Sequence, residues 1–278
     1  MVAYKLAVLG VVVTAGVVAA GDEGWRSLPW QTIERPFYRL HYVPEHAEDA
    51  QRVDALLALV YEALLEEFKT HNPRKMLRSV ECDIYLQPQP MEYTRPGVAL
   101  TLATWSNGHY DADIHILTPG AHGQLDQSGF PPGHYDRDYY HKTLLHEVST
   151  LFLVPLARSK REGWSFSECP EWFRQGYEDY LGLMRSSERN RTERLRDYQG
   201  TLADDDRVRL GIEVQEVYID GAMLLAYMHD TWGPRKVQQV LVSRAPTFWG
   251  AVKRELDVDI QAFYDGWQAW RDRHRASR

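Results

Sequence analysis

The stretch HKTLLHEVSTLFLV, residues 141–154, holds the side chains best suited to chemistry. Residues four apart on an α-helix lie about 40° apart around its axis. Paired histidines at that spacing aim two imidazoles at one metal ion, and a glutamate after the first can reach a metal-bound water. Here His146 is followed by Glu147, but Thr150 stands where the second imidazole would be. Its neutral hydroxyl is a poor donor for zinc, which takes thiolate, imidazole or carboxylate. A second stretch, CPEWFRQGYEDYLG (residues 169–182), opens another helix at Pro170, a residue suited to a first turn. It carries Gln175 and, three residues on, Glu178. Glu178 lies about 60° from Gln175 around that helix, so with His146 it could form part of an alternative metal-ligand set.

Other candidates are weaker. HYDADIH places His109, Asp111, Asp113 and His115 at alternate positions, which on a strand share one face. This reads as the solvated polar face of an edge hairpin, with a metal site as the alternative. His141, five residues before His146, points about 140° away. His134 falls in a Gly/Pro-rich loop and reads as surface. Tyr218 stands at the start of a later helix and either supports an oxyanion or is a buried tyrosine with a satisfied hydroxyl. RSSERNRTERLR (residues 185–196) could meet a polyanion, but Glu188 and Glu193 at helical spacing favour a solvated, salt-bridged face. Asn190-Arg191-Thr192 fits a glycosylation sequon, and ADDDR (residues 203–207) reads as a turn. The sequence has no Gly-rich phosphate loop, no Gly-x-Ser-x-Gly nucleophile turn and no Cys/His cluster.

The elements that must position these residues follow from pattern. Of 278 residues 44% are hydrophobic and 26% charged, enough for a sizeable core and unlike a disordered or multi-span membrane chain. The net charge of −7 argues against a nucleic-acid partner. Residues 1–20 read as a signal peptide ending in small residues, with cleavage expected near Ala20–Gly21. The apolar run is short for a membrane span, and an uncleaved anchor is the alternative. Export would allow Cys82 and Cys169 to form one disulfide or to remain two buried thiols. Alternation marks strands at 36–44, 80–86, 97–105 and 112–119, with a turn at 106–108. An apolar stripe marks a long helix over 46–71, and further helices are expected at 138–154, 170–184, 187–200, 213–232, 234–243, 246–255 and 259–274. Segregated strands and helices predict an α+β fold. A strand-rich part over 21–133 precedes a helical part over 134–278.

Trp172, Phe173, Gly176 and Tyr180, taken with His146-Glu147, YRLHYVPE, GVALTLA…DADIHIL, VYIDGAMLLAYMHDTWGPRKVQQVL and FWGAVKRELDVDIQAFYDGWQAW, carry a resemblance. In order and spacing over residues 35–272 the chain resembles the peptidase MA-like gluzincins, the thermolysin-type zinc peptidases. The resemblance implies a thermolysin-like zincin domain: a small mixed sheet, a helical C-terminal subdomain, and zinc ligands at 146, 150 and 175 with Glu147 as general base. Thr150 and Gln175 depart from that set. Gln175 keeps the shape of glutamate without its charge and is expected to bond to Glu147 or His146, while Thr150 is expected to bond back to a helix carbonyl. The implied protein is an exported or envelope-located, metal-free pseudopeptidase whose cleft residues His146, Thr150, Gln175 and Glu178 receive a peptide or protein segment. One alternative is a zinc-dependent hydrolase drawing on His146, Glu178 and a residue of the 109–115 strand, with Glu147 and Tyr218 in catalytic roles. A second is an envelope scaffold.

Overall fold

A computed structural model describes residues 23–89, 99–106, 109–124, 137–158, 164, 169–187 and 217–276. The expected signal segment, the turn at Asn107-Gly108, His134, the helix expected at 187–200 beyond Ser187, Asn190 and residues 203–207 lie outside them. The fold is α+β, with one five-stranded mixed sheet and a mainly helical remainder. The chain forms two compact units, Met1–Leu59 with Leu77–Asp136, and Val60–Met76 with Arg137–Arg278.

The first unit holds the sheet. Strands β1 (Gln31–Arg35), β2 (Tyr38–Tyr42), β3 (Val80–Gln87), β4 (Ala99–Ser106) and β5 (His109–Leu117) lie in the order β1-β2-β3-β5-β4. The β2–β3 and β3–β5 pairs are parallel, and the two outer pairs are antiparallel. Registers Leu40↔Ile84↔Ile114 and Leu86↔Ile116 gather the apolar side chains on one face, where all five are buried. Helix α1 (Ala47–Glu67) begins in this unit. Tyr38 donates its hydroxyl to Asp54 at 2.8 Å, and Arg35 pairs with the same carboxylate. Its Ala50, Val53 and Leu57 are buried as the stripe requires. β1 was not expected, and the strand expected first is the second. Its burial pattern explains this, because four of its five residues are exposed and carry no alternation.

The opposite face is polar, and there the expectation for the 109–115 stretch is corrected. His109 and Asp111 are exposed, as a solvated face requires, but Asp113 is half-buried and His115 fully buried. The His115 ring stacks on Tyr85 at 5.0 Å and receives a hydrogen bond from the Gln87 amide at 3.0 Å. Burial, with Arg26 adding to it, lowers its pKa to about 4. β5 lies inside the sheet and β4 forms the edge. Cys82 is not bonded to Cys169, and both thiols are buried.

The second unit is helical. After the end of α1 come a short helix α2 (Pro73–Met76), then α4 (Arg137–Arg158), α5 (Glu171–Ser186), α6 (Val217–Trp232), α7 (Pro234–Val242), α8 (Phe248–Leu256) and α9 (Ile260–Ala276); α3 (Pro119–Gln124) belongs to the first unit. From Val148 to Ala157 every residue of α4 is buried, as in a helix enclosed on all sides. It runs on through Pro155, past the expected end at 154. Pro170 is the N-cap of α5 rather than its first residue. α5 and α6 cross where two glycines meet: a Cβ on Gly176 would lie 2.3 Å from the Gly221 carbonyl carbon. Trp172, Phe173 and Phe248 pack with Trp249 and Phe263 into an aromatic core. At the end of α1, buried Glu67 pairs with Arg185 and accepts from the Gln238 amide at 3.0 Å. Arg185, expected on a solvated, salt-bridged face, is exposed and forms an ion pair, with the buried carboxylate of Glu67. Among the described residues no helix is long and apolar enough to cross a membrane.

Candidate functional site

The chemistry-bearing residues of α4 and α5 meet within the second unit. On α4, Lys142, His146 and Thr150 recur every four residues and form one stripe. On α5 the facing stripe holds Gln175, Glu178, Asp179 and Gly182; taking Glu178 as zero, Gly182 and Gln175 point at about 40° and 60°, between it and Asp179 at about 100°. The contacts fix an antiparallel register. Gly182 lies against the Lys142 carbonyl, where an added Cβ would approach to 3.0 Å. Lys142 Nζ pairs with Asp179 Oδ1 at 3.0 Å, and His146 Nδ1 lies 3.1 Å from the same oxygen. One step further along α4, Thr150 donates its hydroxyl to Glu178 Oε1 at 2.6 Å. The other oxygen of Glu178 stands 3.7 Å from His146 Nε2. Thus one imidazole bridges two carboxylates.

Two expectations about this cluster are corrected. Thr150 does not bond back to its own helix; Ser149 does, donating to the His146 carbonyl at 2.7 Å, while Thr150 reaches across to Glu178. Gln175 does not bond to His146 or Glu147. It is 1% exposed, and neither its amide nitrogen nor its amide oxygen has a hydrogen-bond partner. The register places it one turn before Glu178, beside Thr150 and the turn that follows. Glu178 and Asp179, not Gln175, make the contacts to α4. Lys142 and Asp179 were not assigned roles from the sequence. The signal for Lys142 was its spacing, four residues before His146 on the stripe that continues to Thr150.

The electrostatics follow from burial and these contacts. Burial opposes a charged imidazole at His146, but the hydrogen bond to Asp179 and the charges of Glu178, Glu147 and Asp179 outweigh it and raise its pKa to about 9. Burial raises Glu178 to about 7, against the pull of His146 and Thr150. Burial would also raise Asp179, but Lys142 and His146 hold it well below the usual carboxylate range. At neutral pH the cluster therefore carries an imidazolium and an ammonium facing a set of acids. Nδ1 of His146 is hydrogen-bonded to Asp179, and Nε2 faces Glu178 at ion-pair rather than hydrogen-bond distance.

A catalytic zinc takes three protein ligands and a water. His146 Nε2 and Glu178 Oε2 are the two donors at the site, and the Thr150 hydroxyl is already given to Glu178. Among the described residues no group of three or more His, Cys, Asp or Glu is arranged to hold a metal ion. The described residues brought together here supply fewer than the three protein ligands of a catalytic zinc. His141 is buried, with its pKa lowered chiefly by that burial. Tyr218 falls in the first turn of α6, and its side chain lies outside the described residues. The strand residues 109–115 belong to the first unit. No protein-family model matches the chain, and no curated protein matches it.

Proposed function

We propose that this chain is an exported, metal-free relative of the peptidase MA-like zinc peptidases, with a thermolysin-like zincin architecture, that binds a peptide or protein segment and does not hydrolyse it. The observation that carries the reading is the bridging imidazole: His146 sits between Asp179 and Glu178, at 3.1 and 3.7 Å, where the resemblance would have it hold a metal. Thr150 and Gln175, which replace the other two expected ligands, fall on the facing stripes of the same two helices. β4 supports the binding half of the proposal. Among the described residues it pairs only with β5, so its outer edge offers backbone groups to an added strand. The exposed Leu102 gives that edge an apolar contact.

The test is a restoration. Thr150→His with Gln175→Glu should create a zinc site that the wild type lacks, read as one equivalent of zinc by elemental analysis. A folded double variant that binds no metal would refute the helix pairing on which the reading depends. The 3.7 Å gap between His146 Nε2 and Glu178 Oε2 favours a second reading, a hydrolase in which these two groups and a third protein ligand hold zinc while Glu147 polarises the water. Wild-type protein carrying one zinc, lost in His146→Ala and retained in Glu147→Ala, would select it. A third reading, an envelope scaffold, requires that bulky changes at Glu147 leave function intact.

A further inference from the structure

We propose that the polar face of the sheet selects a basic side chain, lysine or arginine, in an extended segment added along β4; the inference rests on the peptide-binding reading above. The two edges of the sheet differ. β1 is five residues long and carries Glu34 and Arg35, whereas β4 has eight residues with no charge and no proline. Short or charged edges resist further pairing, and long uncharged ones invite it. Among the described residues β4 pairs only with β5. Its Leu102 is exposed, which among the described large apolar side chains is shared only by Leu59.

The face beside that edge is acidic. The register runs Leu102, Asp113, Asp83, Arg39 and Glu34 in one row across the five strands, and Thr104, Asp111 and Glu81 in the next. Arg39 is held towards the far side, forked onto Asp83 and 4.0 Å from Glu81, and His41 also bonds to Asp83, at 2.6 Å. Arg26, His41 and Arg39 attract Asp113 at longer range, and Asp83 repels it. His109, exposed, stands two residues before Asp111 on the same face. Among the described residues the two acids nearest β4, Asp111 and Asp113, form no ion pair of their own. Adjacent strands lie about 4.8 Å apart, so a residue opposite Leu102 on an added strand stands about 10 Å from Asp113. A lysine or arginine bridges that gap, its methylene stem covering Leu102 and its charged head reaching the carboxylate. An acidic residue there would be repelled. A second copy of this chain, paired edge to edge, would set two such acidic faces side by side.

The test uses acetyl-Thr-Val-Xaa-Val-Thr amide with lysine, methionine or glutamate as Xaa, titrated calorimetrically into the full chain at pH 7.5. Methionine keeps an unbranched stem without the charge. The lysine peptide should bind about fivefold tighter than the methionine peptide, the upper range for an ion pair that is not fully buried, and the glutamate peptide should bind weakest. Asp113→Asn should erase the preference for lysine over methionine without weakening the methionine peptide. Leu102→Lys should reverse the order, so that glutamate binds tightest; Leu102 is exposed, so this variant serves if Asp113→Asn fails to fold. Equal binding of all the peptides would overturn the basic preference and leave strand addition standing, and binding of none would overturn both. A lysine preference that survives both substitutions would overturn this site. Hydrogen exchange of the free chain checks the edge itself: protected amides on the open side of β4 would mean that it is already filled, by a second copy if sedimentation shows a dimer or by the chain itself if it shows a monomer, and either result would overturn the proposal.

Discussion

Replacing Gln175 by methionine tests the packing of α5 on α4 most directly, because the expected sign is unusual. Core substitutions destabilise as a rule. Here the wild-type side chain buries an amide with neither donor nor acceptor satisfied, which costs about 1–3 kcal/mol in proteins. Methionine has nearly the same length and volume, is unbranched, and adapts to irregular space, so the substitution removes the polar penalty without opening a large cavity. Gln175→Met should therefore stabilise the chain by about 1–2 kcal/mol. At about 2–4 °C per kcal/mol for a chain somewhat shorter than this one, Tm should rise by about 2–8 °C. Urea titration should show a higher midpoint at unchanged slope, the mark of altered stability without altered compactness. A Met variant less stable than wild type by more than about 1 kcal/mol would mean that Gln175 has a partner in the folded protein.

The remaining expectations are independent of one another. His146 and Glu178 both have folded pKa values above their ordinary ones, about 9 and about 7, so the folded chain holds extra protons between about pH 4.5 and 9 and loses stability as pH rises through that window. Asp179 has a lowered pKa, so its contribution is present above its ordinary value and is lost only as the medium turns strongly acid. Buried His115 and His229 have lowered pKa values, about 4 and about 3, and act the other way below pH 6.5, so thermal melts should show Tm falling from pH 7 to 9, and the stability of wild type relative to Glu178→Gln should shrink between pH 5 and 7. Gly176→Ala forces a methyl into the Gly221 backbone and should cost at least about 2 kcal/mol by denaturant titration, since neither backbone can move far; a neutral result would refute the helix crossing. Glu67→Ala strips the partner of Arg185 and one acceptor of Gln238 and should cost about 1–3 kcal/mol in the same assay.

Alternation was enough to find β2, β3, β4 and β5, because each sends one set of side chains into a core. It was not enough for β1, where Gln31, Thr32, Glu34 and Arg35 are exposed and only pairing to β2 makes a strand of them. The polar face of β5 was legible as a face but not as a gradient. Which end is covered depends on Tyr85 and Gln87 of β3, brought alongside by the parallel register. The facing of α4 and α5 was legible from His146-Glu147 and from the Trp172–Tyr180 pattern. Gln175, Glu178 and Asp179 fall within one stripe about 100° wide, so periodicity cannot say which of them reaches His146. The axial register decides, and it is set by the approach of Gly182 to the Lys142 carbonyl and of Gly176 to Gly221. Those are contacts between backbones, invisible to a pattern of side chains.

That register also explains why the cluster is stable with the side chains it has. A carboxylate at 175 would join Glu178 and Asp179 on one helix face, and like charges so placed drive one another's pKa upward. With glutamine there, the acids across from α4 are two. His146 and Lys142 supply the two positive charges that match them, one through a proton held to about pH 9 and one on a flexible stem. Zinc would have delivered the same charge at a single point. Dividing it between an imidazolium and an ammonium requires donors at two heights along the helix, which is what residues 142 and 146, one turn apart, provide. Losing either should therefore not resemble losing a metal. Lys142→Met should raise the pKa of Asp179 and weaken the network in part, whereas His146→Ala should leave both Glu178 and Asp179 short of a partner and cost more, an ordering that paired urea titrations at pH 6 would show.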